Sequence, residues 1–229
     1  MTAQFRKITM TKRKAHEVEV RRKITKVARR LFQDQGYNQT TIRQITQAAE
    51  VKTGSLYHFY KDKEDIFSTI VREVFYRVVE RTNELVPAEQ LLLQSACELS
   101  WHIHSMLLDE QTAELYVVTY NSPRISAAIL ADQVQRSLHL FGAMHPGFRE
   151  EDHRLRAMFV KGFLQATALR ISNGEAIELH PTVEKAVQLM FRLYDIPPLD
   201  IQQVLRRLPD LPIEELVRQA LAGEVVKDG

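Results

Sequence analysis

Cysteine is almost missing from this chain: Cys97 stands alone among 229 residues. That excludes an internal disulfide framework and any zinc site built on cysteine pairs, and it fits a reducing compartment. Proline is absent before Pro87; all eight prolines (Pro87, Pro123, Pro146, Pro181, Pro197, Pro198, Pro209 and Pro212) come later, with helical patterns between them. Proline falls at helix boundaries rather than inside helices, so these positions divide the later chain into segments. No segment alternates apolar and polar residues over a sustained stretch, which leaves an all-α reading. No run reaches the ~18 apolar residues of a membrane-spanning helix. The basic opening MTAQFRKITMTKRKAHEVEV has no apolar stretch behind it, so a secretory signal is not expected and the expected location is the cytoplasm. A Gly-rich phosphate loop is also lacking, and Cys97 and the eight histidines stand in no recognisable catalytic setting. An enzyme is therefore not expected, nor a cofactor.

What is present begins with charge. A formal net charge of +2 hides an asymmetry: residues 1–63 hold 15 Lys and Arg against 5 Asp and Glu, and the remainder holds 16 against 24. A basic segment on an acidic body suggests that one end meets a polyanion, although a solvated basic tail gives the same arithmetic. Within this segment Ile24, Val27, Ala28, Leu31 and Phe32 recur at helical spacing as one apolar stripe, and Gly36 supplies a stop. Thr41 followed by Gln44 reads as a capping box opening a short second helix that ends near Glu50. Val51 and Lys52 make a tight turn, and a third helix runs from about Thr53 to Tyr60. These proportions are those of a helix-turn-helix. At 100° per residue Leu56, Phe59 and Tyr60 share the inner face of the third helix. Gly54 and His58 lie opposite, with Ser55 and Tyr57 on the flanks, a face suited to a major groove. A solvated polar face on a small helical subdomain is the alternative, made less attractive by the surrounding positive charge.

The stretch ITKVARRLFQDQGYNQTTIRQITQAAEVKTGSLYHFYKDKEDIF, from Ile24 to Phe67, resembles the N-terminal domain of TetR-type regulators. Leu31-Phe32, Gly36-Tyr37, Thr40-Thr41-Ile42, Gly54-Ser55-Leu56-Tyr57 and Lys63-Glu64 stand in the order of that family's pattern. The match covers about a fifth of the chain. Glu50 replaces the usual glycine of the turn, so left-handed strain is expected there; Thr46 replaces an alanine, and Phe59-Tyr60 inverts the commoner order. The resemblance implies an N-terminal helix-turn-helix DNA-binding domain followed by a larger helical ligand-binding and dimerisation domain. The expected divisions are a basic arm over 1–20, the helix-turn-helix over 21–66, the regulatory domain over 67–195 and a helical appendage over 196–229. The expected DNA-binding residues are Thr41, Arg43, Lys52, Thr53, Gly54, Ser55, Tyr57, His58 and Lys63.

Lysine in the first turn of a helix is unfavourable, so Lys63 is expected to meet a phosphate, and its loss is expected to leave stability unchanged or slightly higher. Asp62 caps a fourth helix reaching about Leu85, roughly 35 Å long. Further helices are expected over 89–108, 111–120, 124–144, 151–172 and 182–194, then over 200–207 and 213–221. Two of them carry apolar stripes, Leu155, Met158, Phe159, Gly162, Phe163 and Ala166 on one and Val183, Ala186, Val187, Met190 and Tyr194 on the other. The resemblance implies a two-fold four-helix interface for both, while core packing within one subunit explains the same stripes.

Candidate ligand-binding residues are Trp101, His102, Met106, Tyr116, Tyr120, Phe141 and Phe163, apolar with a few polar atoms. Glu98 and His102 share a helix face, but His104 points elsewhere, and no metal is expected. The function implied is a ligand-responsive repressor, a homodimer on a pseudo-palindromic double-stranded DNA operator, with an unidentified small-molecule effector. A non-specific or nucleoid-type DNA-binding protein is the alternative.

Overall fold

The computed structural model describes residues 12–222. They are helical, with no strand among them, and they divide into two compact units, one ending at residue 70 and the other beginning at residue 71. The first eleven residues of the expected basic arm lie outside the described residues.

The first unit opens with α1 (Lys12–Gln39), which starts well before the apolar stripe predicts, because residues 12–20 carry charge rather than helical periodicity. Ile24, Ala28 and Phe32 are fully buried on its inner face. Gly36 takes φ 79° and ψ 163°, which breaks the helix direction as expected, and one more turn follows it. Thr40 locks this corner, its hydroxyl donating to the Gly36 carbonyl at 2.8 Å, and the rings of Phe32, Tyr37 and Phe67 meet one another tilted or edge-on with centroids 4.9–5.3 Å apart. α2 (Ile42–Ala48) carries the full capping box, the Gln44 amide donating to Thr41 Oγ1 while Gln44 Oε1 accepts from the Thr41 amide at 2.8 Å. It ends on Glu50 at φ 55°, with the Glu50 amide donating to Gln47 O and the Val51 amide to Thr46 O. That is a Schellman end in which a glutamate holds the left-handed position usually left to glycine. α3 (Thr53–Phe59) follows, and α4 (Lys63–Leu85) begins in this unit and continues through the next.

In the second unit α5 (Leu91–Leu108) is the central helix. It buries residues on every side, Leu93, Ala96, Cys97, Leu99, Trp101, Ile103 and Met106 among them, as a helix surrounded by others must. Around it stand α6 (Glu110–Asn121), capped by Asp109, and α7 (Pro123–Phe141), capped by Ser122 with proline in the first turn. α8 (Glu150–Ser172) and α9 (Leu179–Leu193) complete the ring. The two apolar stripes part company here. Val183, Ala186, Val187, Met190 and Tyr194 are buried, so the α9 stripe is core within one chain. On α8, Leu155, Met158 and Phe159 are exposed, Phe159 by 66%, with exposed Gly162 and Ala166 continuing the row.

The helices of the expected C-terminal appendage pack, as far as they are described, into the core of the second unit. α10 (Pro198–Arg207), a 3-10 turn (Leu208–Asp210) and α11 (Ile213–Ala222) send Ile201, Val204, Leu208, Ile213, Leu216 and Val217 into the same core as α5 and α9. Arg77 on α4 donates to the Ala220 carbonyl at 2.7 Å and so closes the end of α11. No helix among the described residues is long and apolar enough to cross a membrane.

Candidate nucleic-acid interface and internal cavity

Leu56 and Tyr60 bury the inner side of α3, at 0% and 3% exposure, and hold the rest of that short helix outward. Lys52, Thr53, Gly54, Ser55, Tyr57 and His58 are all exposed, as are Thr41 and Arg43 on the preceding helix. Nothing lies within 4 Å of the position a Cβ would take at Gly54, so its lack of a side chain answers no internal crowding. It leaves the helix backbone open to close approach from outside. The Arg21 guanidinium sits 5.2 Å from the Phe59 ring centroid, adding positive charge beside this helix.

Lys63 departs from expectation. Its Nζ donates to the carbonyls of Tyr37 and Thr40, both at 2.8 Å, and lies 4.2 Å from the Tyr37 ring centroid. The ammonium turns away from the positive end of α4 and serves the carbonyl-rich end of α1, where a cation is favourable. Burial lowers its pKa from the ordinary lysine value, and the two carbonyls hold the charge in place. Lys63 is therefore a clamp on the corner before Thr41, with an N–H to spare for a phosphate. The expectation that its loss is harmless to the fold is corrected. Lys63→Ala is expected to destabilise the first unit by about 1–2 kcal/mol, since two charge-assisted hydrogen bonds go with it at a half-buried site. Thermal melting checks this; an unchanged or higher midpoint would contradict the clamp.

The candidate ligand residues separate into two groups. Trp101, Met106, Tyr116 and Tyr120 sit where α5 meets α6, the first two and Tyr120 buried. The Tyr116 hydroxyl lies 2.9 Å from both His102 Nδ1 and Ser105 Oγ. Phe163 is half-buried against the core. His102 and Phe141 alone of the seven line a small cavity open to solvent, a space of about 90 Å3 walled by α4, α5, α7, α8 and α9. Its polar residues include Ser95, Glu98, Gln133, Arg136 and Ser137, and its apolar wall includes Phe75, Leu99, Leu140, Val160 and Leu164. Most of these polar residues escape sequence reading, because Gln133, Arg136 and Ser137 look like the solvated side of α7.

Charge in the cavity wall is paired. Arg136 Nε and Nη2 donate to the Glu98 carboxylate at 2.5–3.3 Å, and Nη2 also reaches Asn83 Oδ1 at 3.2 Å and Gln94 Oε1 at 3.3 Å. Burial pushes the Glu98 carboxyl up although the guanidinium pulls it down. Burial pushes His102 down to about 4, so its ring is neutral at neutral pH. Deeper in, Ser137 Oγ lies 2.8 Å from His153 Nδ1 and 2.7 Å from the Tyr194 hydroxyl. Glu98 and His102 thus have partners of their own, and among the described residues no three His, Cys, Asp or Glu side chains are grouped to hold a metal. A larger surface groove of about 890 Å3 lies between α5, α9, α10 and α11, with charged residues such as Glu214 and Arg218 paired at its edge. Every buried polar side-chain atom of its lining has a partner among the described residues, whereas Gln133 Oε1 in the small cavity has none.

Residues 24–70 match the family model described as bacterial regulatory proteins, tetR family. Curated relatives include the HTH-type transcriptional regulator HbdR of Aromatoleum sp., 29% identical over 46% of this chain and 45% of that one. The HTH-type transcriptional repressor AcnR of Corynebacterium efficiens is 31% identical over 37% of this chain and 46% of its own. The chain thus spans less than half the length of these relatives. Among solved structures, RolR without ligand superimposes with a TM-score of 0.60 at 14% identity, covering 81% of this chain and 96% of RolR. A regulator from Syntrophomonas wolfei gives 0.55 at 22% identity over 78% and 96%. These likenesses extend the shared fold well beyond residue 70.

Proposed function

We propose that the chain is a member of the TetR family of bacterial regulatory proteins, whose model its residues 24–70 match, and that it is a ligand-responsive transcriptional repressor gripping a pseudo-palindromic DNA operator as a homodimer in the cytoplasm. The observation that carries the reading is α3, whose outer face of Gly54, Ser55, Tyr57 and His58 is free of internal work while Leu56 and Tyr60 anchor it. Ser55 and His58 are assigned to base edges; Thr41, Arg43, Lys52, Thr53, Tyr57 and Lys63 are assigned to the phosphate backbone. The exposed α8 row of Leu155, Met158 and Phe159 supports the homodimer, because a contiguous apolar strip of this kind marks a protein interface. The cavity beside Phe75 supports the effector: an occupant that displaces Phe75 bears on α4, the helix that begins at Lys63. By linkage, an effector that weakens DNA binding loses affinity by the same factor when operator is present. A nucleoid-type binder has no use for a large acidic helical unit with its own cavity, which favours the specific regulator.

Selection from random duplexes, followed by fluorescence anisotropy on the recovered site, tests this. Two chains are expected per operator, with half-site centres about one helical turn apart. Ser55→Ala and His58→Ala are each expected to cost about 1–3 kcal/mol on the operator and less on random DNA. One chain on an asymmetric site, or equal losses on both DNAs, would count against the reading.

A further inference from the structure

The small cavity has a chemistry specific enough to name what enters it. Its wall is mostly apolar, and its two charges already satisfy each other: both Glu98 oxygens accept from Arg136, which also reaches Asn83 and Gln94. An anion that took Arg136 would strand Glu98 in the interior. A cation that took Glu98 would sit against the guanidinium. Either exchange leaves a buried charge badly paired, so the wall rejects ions of both signs. His102 does not alter that balance, being held neutral with Tyr116 on one ring nitrogen. The atom left open is Gln133 Oε1, buried and without a hydrogen-bond partner among the described residues. A carbonyl oxygen in that position is satisfied by a hydrogen-bond donor. At about 90 Å3 the space is smaller than the ~150 Å3 cavity that takes benzene, so the part of a ligand that enters it is at most a compact ring, and anything longer extends outward past the half-buried Phe75 and Val160.

We infer that the effector of this protein is an uncharged small molecule whose buried end is a compact apolar ring or branched group bearing one hydrogen-bond donor for Gln133, with the Glu98–Arg136 pair acting as the gate against ions. The inference rests on the reading of this cavity as the effector site, and it names that site's ligand class.

Trp101 supplies the readout. It is the single tryptophan of the chain, and its ring lies nearly perpendicular to that of His102 at a centroid distance of 5.2 Å. Four probes of similar size separate the possibilities on the full-length protein: pyrrole, a neutral N–H donor; furan, the same shape without the donor; protonated pyrrolidine; and isobutyrate. Pyrrole is expected to shift Trp101 emission saturably and raise the melting temperature, with affinity about tenfold above furan. The two ions are expected to give no saturable change over the same range. Gln133→Leu is expected to bring pyrrole down to the level of furan. Binding of either ion as tight as pyrrole, furan equal to pyrrole, or no saturable response to pyrrole would overturn the inference. The furan comparison needs no variant and decides the matter even if Gln133→Leu folds poorly. Operator affinity read in parallel keeps the two claims apart. Pyrrole bound with DNA affinity unchanged removes the effector reading and leaves the ligand class standing. An ion that binds and releases DNA does the reverse.

Discussion

Arg136→Met is expected to destabilise the second unit by about 3–5 kcal/mol. The cost arises less from lost attraction than from what remains. Glu98 stays inside, with side-chain exposure of 12%, and both its oxygens lose their donor. Its carboxyl is already pushed up by burial, so without the guanidinium it is expected to take a proton rather than hold a bare charge, which caps the penalty. Glu98→Gln alone should cost less, because Arg136 keeps Asn83 and Gln94 as acceptors. The double variant Glu98→Leu, Arg136→Met should lie within about 1 kcal/mol of the parent or above it, since two charges and their desolvation leave together. Urea unfolding followed at Trp101 measures all three, because that residue reports on the second unit alone. A single-variant cost below about 1 kcal/mol would show the pair to be solvated in solution.

That pair also marks where sequence reading ends. Helix starts were legible because their signals are local: Thr41 with Gln44 spells its capping box within four residues, and Asp62 accepts from the Asp65 amide at 2.7 Å as its position predicts. The inward side of α3 was legible for the same reason, being fixed by 100° per residue around Leu56. Glu50 was legible as a strained position because the turn demands a left-handed residue whichever one stands there. The part Lys63 plays in stability was missed because its partners, Tyr37 and Thr40, lie 26 and 23 residues back, at the end of another helix. Glu98 looked like a companion of His102, one turn away, whereas its true partner is 38 residues on. The cavity's polar wall was invisible for a related reason. Gln133, Arg136 and Ser137 have the composition of a solvated face, and only the packing of α7 against α5 and α8 turns that face inward. The start of α1 was missed on different grounds: residues 12–20 form a helix with no apolar period to announce it.

Stability is expected to fall as pH drops from about 6.5 toward 4, with His102 the largest contributor. In the unfolded chain this imidazole protonates near 6.5, while in the folded protein burial holds it down to about 4. Between those limits the unfolded state binds the proton and the folded state does not, so protons favour unfolding. The stabilisation is complete above pH 6.5 and is lost progressively below it, by up to about 3 kcal/mol for this one ring at one pKa unit per 1.36 kcal/mol. His104 and His153 shift in the same direction, the first by desolvation, the second by desolvation together with the charge of Arg156. Glu98 works against them: an acid with a raised pKa favours the fold as pH falls, and it lines the same cavity as His102. The net slope in the parent is therefore shallower than three histidines alone would give. His102→Gln isolates the first of them, since an amide at that position still meets the Tyr116 hydroxyl and cannot titrate. Denaturant unfolding at pH 7, 6, 5 and 4.5 should show the parent losing stability steadily and His102→Gln losing visibly less, with the difference between the two changing progressively toward the acid end. Parallel curves for the two proteins would mean that His102 takes up its proton in the folded state, and would place the acid-sensitive group elsewhere in the core.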